Sequence, residues 1–170
     1  MEKRIGVVTF AGNGLTLLGQ EIKIGDKAPE FTVLAKDLKP VSLSEFEGKV
    51  KIISVFPSID TGVCAYQTRK FNEEAAALEG IQIISLSVDL PFALDRFCAA
   101  EGIDKNITLS DHKELDFGIK YGFVIEELRL LSRGIVVIDK NNIVRYVEYV
   151  KEVTQHPDYS AAIEAAKKLV

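Results

Sequence analysis

Hydrophobic and polar positions recur with a period that changes along the chain, and each change marks an element. Residues 5–10 and 15–18 flank Gly12-Asn13-Gly14, whose turn chemistry predicts a β-hairpin. Residues 25–29 read as a connector and residues 31–35 as a short strand. Residues 50–56 are rich in β-branched side chains and stop at Pro57, the pattern of a central strand. From Thr61 the period becomes helical. Cys64, Thr68, Phe71, Ala75 and Leu78 share one face, with Arg69, Lys70, Glu73 and Glu74 off it, and Gly80 is the expected terminator.

A second apolar strand is expected over residues 81–88, then a helix that opens at Pro91 and closes at Gly102. Residues 107–109 suggest a short strand and residues 114–121 a short helix. Residues 135–138 and 143–150 read as strands joined across Asp139-Lys140-Asn141-Asn142. Asp158 caps a last helix with Tyr159, Ala162, Ile163 and Ala166 on its apolar face and Lys167 and Lys168 at its dipole-favoured end. Strand–helix–strand–helix followed by a hairpin and a helix is an α/β arrangement. Its central sheet should be mixed, parallel through the crossovers and antiparallel in the hairpin. Nothing resembling a linker or repeat divides residues 1–170, so one domain is expected.

Composition narrows the function. Hydrophobic residues make up 47% and charged residues 27%, ordinary values for a chain that builds its own core. The net charge of -4, with no run of more than two basic residues, argues against nucleic acid as a partner. Apolar runs are too short to span a bilayer, which takes about 20 residues. Lys3-Arg4 before an apolar stretch faintly resembles a secretory leader. Gly12-Asn13-Gly14 breaks it without a small-residue cleavage site, so the segment is read as a strand and the protein as cytoplasmic. Two cysteines do not make a secreted disulfide scaffold; in a reducing compartment they are either buried packing or redox chemistry.

The segment around Cys64 weighs on that choice. A strand ends at Pro57, a loop with capping residues follows, and Cys64 lies in the first turn of the next helix. Unpaired N–H groups and the positive end of the dipole favour an anion there, and the thiolate is the nucleophilic form of cysteine. Thr61, three residues earlier, can cap the helix or share the space of the sulfur. Against this stands an inert core thiol, since Cys64 shares a face with Phe71 and Leu78 and cysteine is often buried. The strand–proline–loop–cysteine–helix layout tips the balance towards a reactive sulfur at the edge of the sheet.

These residues resemble the active-site motif Pro-x-x-x-Thr-x-x-Cys of the peroxiredoxins, matched by Pro57, Thr61 and Cys64. The likeness is nearest to the atypical two-cysteine branch. It extends through Gly25-Asp26-Lys27-Ala28-Pro29-Glu30-Phe31, Asp89-Leu90-Pro91-Phe92, Phe97-Cys98 and residues 133–139. It implies a thioredoxin-like fold, a mixed sheet flanked by helices with an N-terminal hairpin, and a peroxidase acting on hydrogen peroxide and organic hydroperoxides. Cys64 would attack the peroxide and become a sulfenic acid. Thr61 would orient the peroxide, Arg133 would stabilise the thiolate and the leaving oxygen, and Pro57 would shield the sulfur. Only the resemblance selects Arg133 from the six arginines.

Cys98 has two readings. It follows Leu94 by four residues on a helix that also carries Phe97, which suits a packed core thiol. By resemblance it is the resolving cysteine that forms an intrachain disulfide with Cys64. Disulfide formation needs Cα atoms within about 7 Å, so two cysteines in separate regular helices imply local unwinding in each cycle. The resemblance also implies thioredoxin as reductant and a homodimer; no cofactor or metal is expected.

Other motifs carry less. Gly12-Asn13-Gly14 has Leu17 where a dinucleotide loop needs a third glycine, and Gly48-Lys49 is followed by Val50 and not by a P-loop hydroxyl. His112 and His156 lack metal-ligand spacing with the cysteines, and both read as loop or surface residues, which argues against a cysteine hydrolase. Two alternatives remain: a general dithiol oxidoreductase, although Gln67 stands where Cys-x-x-Cys would place its second thiol, and a non-enzymatic thioredoxin-like binding module.

Overall fold

The computed structural model of the chain describes residues 1–75 and 77–170, with Ala75 described as backbone. An N-terminal hairpin pairs β1 (Lys3–Phe10) with β2 (Asn13–Leu18). Its turn is Ala11-Gly12, at φ 49° and 82°, so Asn13 and Gly14 already belong to the second strand. The expected turn over residues 12–14 is thus shifted by one residue, because the observed two-residue turn needs positive φ at both central positions.

Next come β3 (Thr32–Leu34), β4 (Pro40–Ser42) and a single 3-10 turn, Leu43–Phe46, then β5 (Val50–Val55). Helix α1 spans Gly62–Ala75, β6 Ile81–Ser87, α2 Pro91–Glu101 and β7 Asn106–Ser110. The expected stop of α1 at Gly80 is late: Gly80, at φ 77°, makes the turn into β6 instead. Ala75, assigned to the apolar face of α1 from spacing, has its side chain outside the described residues. Helix α2 has the expected bounds, with Pro91 at its first turn and Gly102 left-handed at its end.

Helix α3 (Asp116–Lys120) is shorter than the expected 114–121 because Leu115 takes φ 52°. Its first N–H groups are satisfied from outside: the buried Asp111 carboxylate accepts from Phe117 N at 3.2 Å and Gly118 N at 2.7 Å. Burial pushes the Asp111 carboxyl up to about 6 in spite of these bonds. Two-residue strands β8 (Val124–Ile125) and β9 (Leu130–Leu131) follow, then β10 (Gly134–Ile138), β11 (Val144–Tyr149) and α4 (Tyr159–Lys167). The Asp139 side chain accepts from Asn141 N and Ile143 N, which closes the β10–β11 turn where turn chemistry placed it. Asp158 caps α4 by accepting from Ala161 N at 3.0 Å.

Among the described residues the main sheet has seven strands in the order β11-β10-β5-β6-β7-β3-β4. The pairs β5–β6 and β6–β7 are parallel and the others antiparallel, the mixed sheet expected. Four shorter strands, β1-β2-β8-β9, form a second sheet. Strand β5 is buried on both faces. Val50 and Ile52 join Phe71 of α1 and Ala162 and Ile163 of α4, while Ile53 and Val55 join Phe31 and Phe117 on the opposite side. Double coverage explains why β5 reads as one continuous apolar run. No described helix is long and apolar enough to cross a membrane.

Candidate active site

The site begins where β5 runs out. Phe56 N still donates to Leu86 O of β6 at 3.1 Å, and Pro57, which has no N–H, ends the ladder in a buried position. The chain then turns tightly: Ser58 O accepts from Thr61 N at 3.2 Å, and Ala65 N donates to Thr61 O at 3.0 Å as α1 begins. Thr61 Oγ1 accepts from Cys64 N at 3.4 Å, a helix cap in the expected position. The single proton of that hydroxyl has two acceptors in reach, Ser58 O at 3.2 Å and Cys64 Sγ at 2.6 Å.

Arg133 approaches the same sulfur from the residue before β10. Its Nη2 donates to Cys64 Sγ at 3.2 Å, Nη1 to Gln67 Oε1 at 2.9 Å and Nε to Val153 O at 2.7 Å. Arg133 is only 2% exposed, and among the described residues no carboxylate lies within ion-pair distance of its guanidinium. The guanidinium's observed acceptors are therefore a carbonyl, an amide oxygen and the Cys64 sulfur. Gly134, next in sequence, must lack a side chain: a Cβ there would collide with the Glu148 carbonyl oxygen. That close approach of β10 to β11 fixes the backbone from which Arg133 projects.

Cys64 itself has no solvent exposure and packs with Phe56, Ile59 and Leu94, with Phe97 partly buried against them. Both a core thiol and a shielded nucleophile would be apolar on one side. What separates them is the polar side, a guanidinium and a hydroxyl converging on one sulfur. The cover is also thin, since Thr61, in contact with Sγ, is itself exposed.

Of the five residues singled out from the sequence, Cys64, Thr61 and Arg133 meet, and Pro57 is buried at the start of their loop. Cys98 stands apart. Both cysteines are free, and Cys98 Sγ lies 3.4 Å from Thr108 Oγ1 of β7, beside a cavity of about 290 Å³. Burial pushes the Cys98 thiol up, opposed in part by the Thr108 hydrogen bond. Leu94 and Phe97, from the same helix, occupy the side of α2 that reaches Cys64. His156 is exposed, with Nδ1 2.8 Å from Tyr159 Oη.

Gln67, which in sequence marks only the place of a missing second cysteine, has a larger part in the structure. It is the buried bridge of the site, with Nε2 donating to Ser54 Oγ at 2.7 Å and Val55 O at 3.2 Å while Oε1 holds Arg133. Its signal was available: an amide one turn from Cys64 on an otherwise apolar face needs a buried partner. The Val153 carbonyl that orients Arg133 left no trace in the sequence.

Comparison with known proteins agrees with this geometry. The family described as Redoxin matches residues 23–163. The thiol peroxidase of Halalkalibacterium halodurans is 63% identical over 160 residues, covering 94% of this chain and 96% of its own. That of Bacillus subtilis is 57% identical over 163 residues, covering 96% and 98%. Among solved structures, the peroxiredoxin-like protein from Aquifex aeolicus superposes with a TM-score of 0.91 at 38% identity, covering 98% of this chain and 99% of its own. The thiol peroxidase from Chromobacterium violaceum reaches 0.86 at 22% identity over 95% of each chain, a likeness of fold, and the α/β, thioredoxin-like architecture follows from both. The chain belongs to the Redoxin family and, within it, to the thiol peroxidases.

Proposed function

We propose that this chain, acting as one domain, reduces hydrogen peroxide and organic hydroperoxides at Cys64. The sulfur attacks the terminal peroxide oxygen, the O–O bond breaks, and the other oxygen leaves with a proton as water or alcohol, while Cys64 becomes a sulfenic acid. Arg133 stabilises negative charge on the sulfur before attack and on the leaving oxygen during it. The Thr61 hydroxyl, whose one proton already has two alternative acceptors, can turn from these to the incoming peroxide. Cys98 then attacks the sulfenic sulfur, water leaves, and an intrachain disulfide forms. A dithiol such as thioredoxin reduces it through a mixed disulfide.

The observation that carries this reading is Arg133 Nη2 at 3.2 Å from Cys64 Sγ, in a buried setting where, among the described residues, no carboxylate lies within ion-pair distance of the guanidinium. A dithiol oxidoreductase is disfavoured because Gln67 holds the second-thiol position and its amide is committed to Arg133. An inert binding module would have no use for a buried cation on its thiol. Full burial of Cys64, and the placement of Leu94 and Phe97 against it, require the first turn of α1 and part of α2 to loosen before the two sulfurs can join. A cytoplasmic location suits a disulfide that must be re-reduced, and a homodimer follows from the family likeness.

One equivalent of hydrogen peroxide added to the reduced protein, followed by intact mass and non-reducing electrophoresis, tests this. The expected product is a monomer-sized disulfide between Cys64 and Cys98, reducible in a coupled assay with thioredoxin and its reductase. Unchanged free thiols after that treatment would end the proposal.

A further inference from the structure

One carboxylate outside the reacting shell grips the loop that carries it. Asp89 lies two residues after the end of β6 and two before Pro91, the first residue of α2. Its Oδ1 accepts from Ser58 Oγ at 2.9 Å, and its Oδ2 accepts from Ile59 N at 2.7 Å and from Ser87 Oγ at 2.6 Å. The main chain of Asp89 is tied to the sheet as well, its carbonyl accepting from Ser110 Oγ of β7 and its N–H donating to Ser87 Oγ of β6. Among the described residues no lysine or arginine lies within ion-pair distance of the carboxylate. Its observed hydrogen-bond partners are the loop on one side and the sheet on the other.

The grip leads to the sulfur in two ways. Ser58 O is the acceptor for both the N–H and the hydroxyl of Thr61, which caps α1 and touches Cys64 Sγ. Ile59, held by its N–H, packs directly in the apolar cluster around Cys64 with Phe56 and Leu94. Sheet, Asp89, Ser58-Ile59, Thr61 and Cys64 therefore form one connected set.

We propose that Asp89 is a positioning residue that holds the Cys64 loop closed, and so weights two successive steps in opposite directions. The inference rests on the reading of Cys64 and Cys98 given above. Attack on peroxide needs Thr61 and Cys64 in the closed arrangement. Disulfide formation needs the same loop released. A carboxylate accepting from three donors stabilises the closed form; an amide has one oxygen acceptor in place of two and no charge, so it holds the same groups less strongly. Loosening the loop slows the first step, speeds the second, and shortens the life of the sulfenic acid that a second peroxide would over-oxidise.

The test mixes reduced wild-type, Asp89→Asn and Ser58→Ala proteins with excess hydrogen peroxide, quenches with N-ethylmaleimide, and counts thiol, sulfenic, disulfide and over-oxidised species by intact mass. Asp89→Asn is expected to lower the second-order rate of sulfenic acid formation about tenfold, raise the rate of disulfide formation several-fold, and reduce the over-oxidised fraction. Ser58→Ala keeps the negative charge and two of the three donors, so it should shift both rates in the same directions by a smaller factor. A shared direction excludes an effect of charge alone, and Ser58→Ala carries the test if Asp89→Asn fails to fold. Rates that stay within twofold of wild type, or that both fall together with the melting temperature, overturn the inference. A wild-type protein that forms neither sulfenic acid nor disulfide would instead refute the underlying reading of the site.

Discussion

Cys64 and Cys98 are the same residue type on successive helices, and what meets each sulfur differs. Cys64 sits in the first turn of α1, fully buried, with a guanidinium at 3.2 Å and a hydroxyl at 2.6 Å on its sulfur. Cys98 sits towards the end of α2, half-buried, with one hydroxyl at 3.4 Å and no cation in hydrogen-bond contact among the described residues. The first environment sets a guanidinium against the sulfur; the second, through burial, pushes the thiol up. Such a division suits a cycle in which the first sulfur reacts unaided and the second reacts only when a sulfenic acid is presented to it.

If the asymmetry is functional, exchanging the sulfur at either end should break the cycle at different points. Cys64→Ser should lower peroxide turnover at least roughly a thousandfold, the scale of losing a nucleophile. Cys98→Ser should keep the first burst of peroxide consumption, then stall with Cys64 as sulfenic or sulfinic acid, visible by intact mass. Peroxide consumption by Cys64→Ser at the wild-type rate would overturn the whole comparison.

The next largest effect tests what distinguishes the Cys64 side. Arg133→Lys keeps a charge but not the planar fork that bonds Gln67, Val153 and the sulfur together, so attack on peroxide should slow by roughly 10²-fold. Disulfide formation, measured after the sulfenic acid has formed, should change far less. Equal losses in both steps would mean that Arg133 supports the fold and not the chemistry.

Two smaller effects sharpen the Cys98 side. Because burial raises its pKa, the thiol is protonated at neutral pH, and the resolving step needs it deprotonated. Disulfide formation should therefore speed up with pH by as much as about tenfold per unit while the pH remains below that pKa. A flat profile for this step between pH 6 and 8 would contradict the assignment. Smallest of all, Thr108→Val removes the hydroxyl that opposes the burial effect, and should slow resolution about threefold without altering attack on peroxide.

Much of this site was legible in the chain because its parts are close in sequence. Proline ends strands wherever it occurs, three residues separate a cap from the helix position it serves, and Pro57, Thr61 and Cys64 fall on those spacings. The bounds of α2 followed from Pro91 and Gly102 for the same reason. The misses have physical causes too. Strands β8 and β9 have two residues each, too few to show a period, and Leu115 leaves the helical region at a place where spacing alone continued the helix. At Ala11 a non-glycine residue takes a positive φ that no propensity would assign to it.

By itself the sequence determined the local order of elements, the position of one cysteine at a helix start, and, through likeness to a family, the identity of the reaction. Only the tertiary structure decided that Arg133, 69 residues away, reaches the sulfur, that Gln67 holds it there, and that Asp89 ties the loop to the sheet. It also decided that Cys64 is wholly buried while Cys98 is not. The reason is the range of the forces involved. Capping and helical spacing act within one turn of backbone, whereas burial and the pairing of a buried charge exist only once distant strands have closed around the same point.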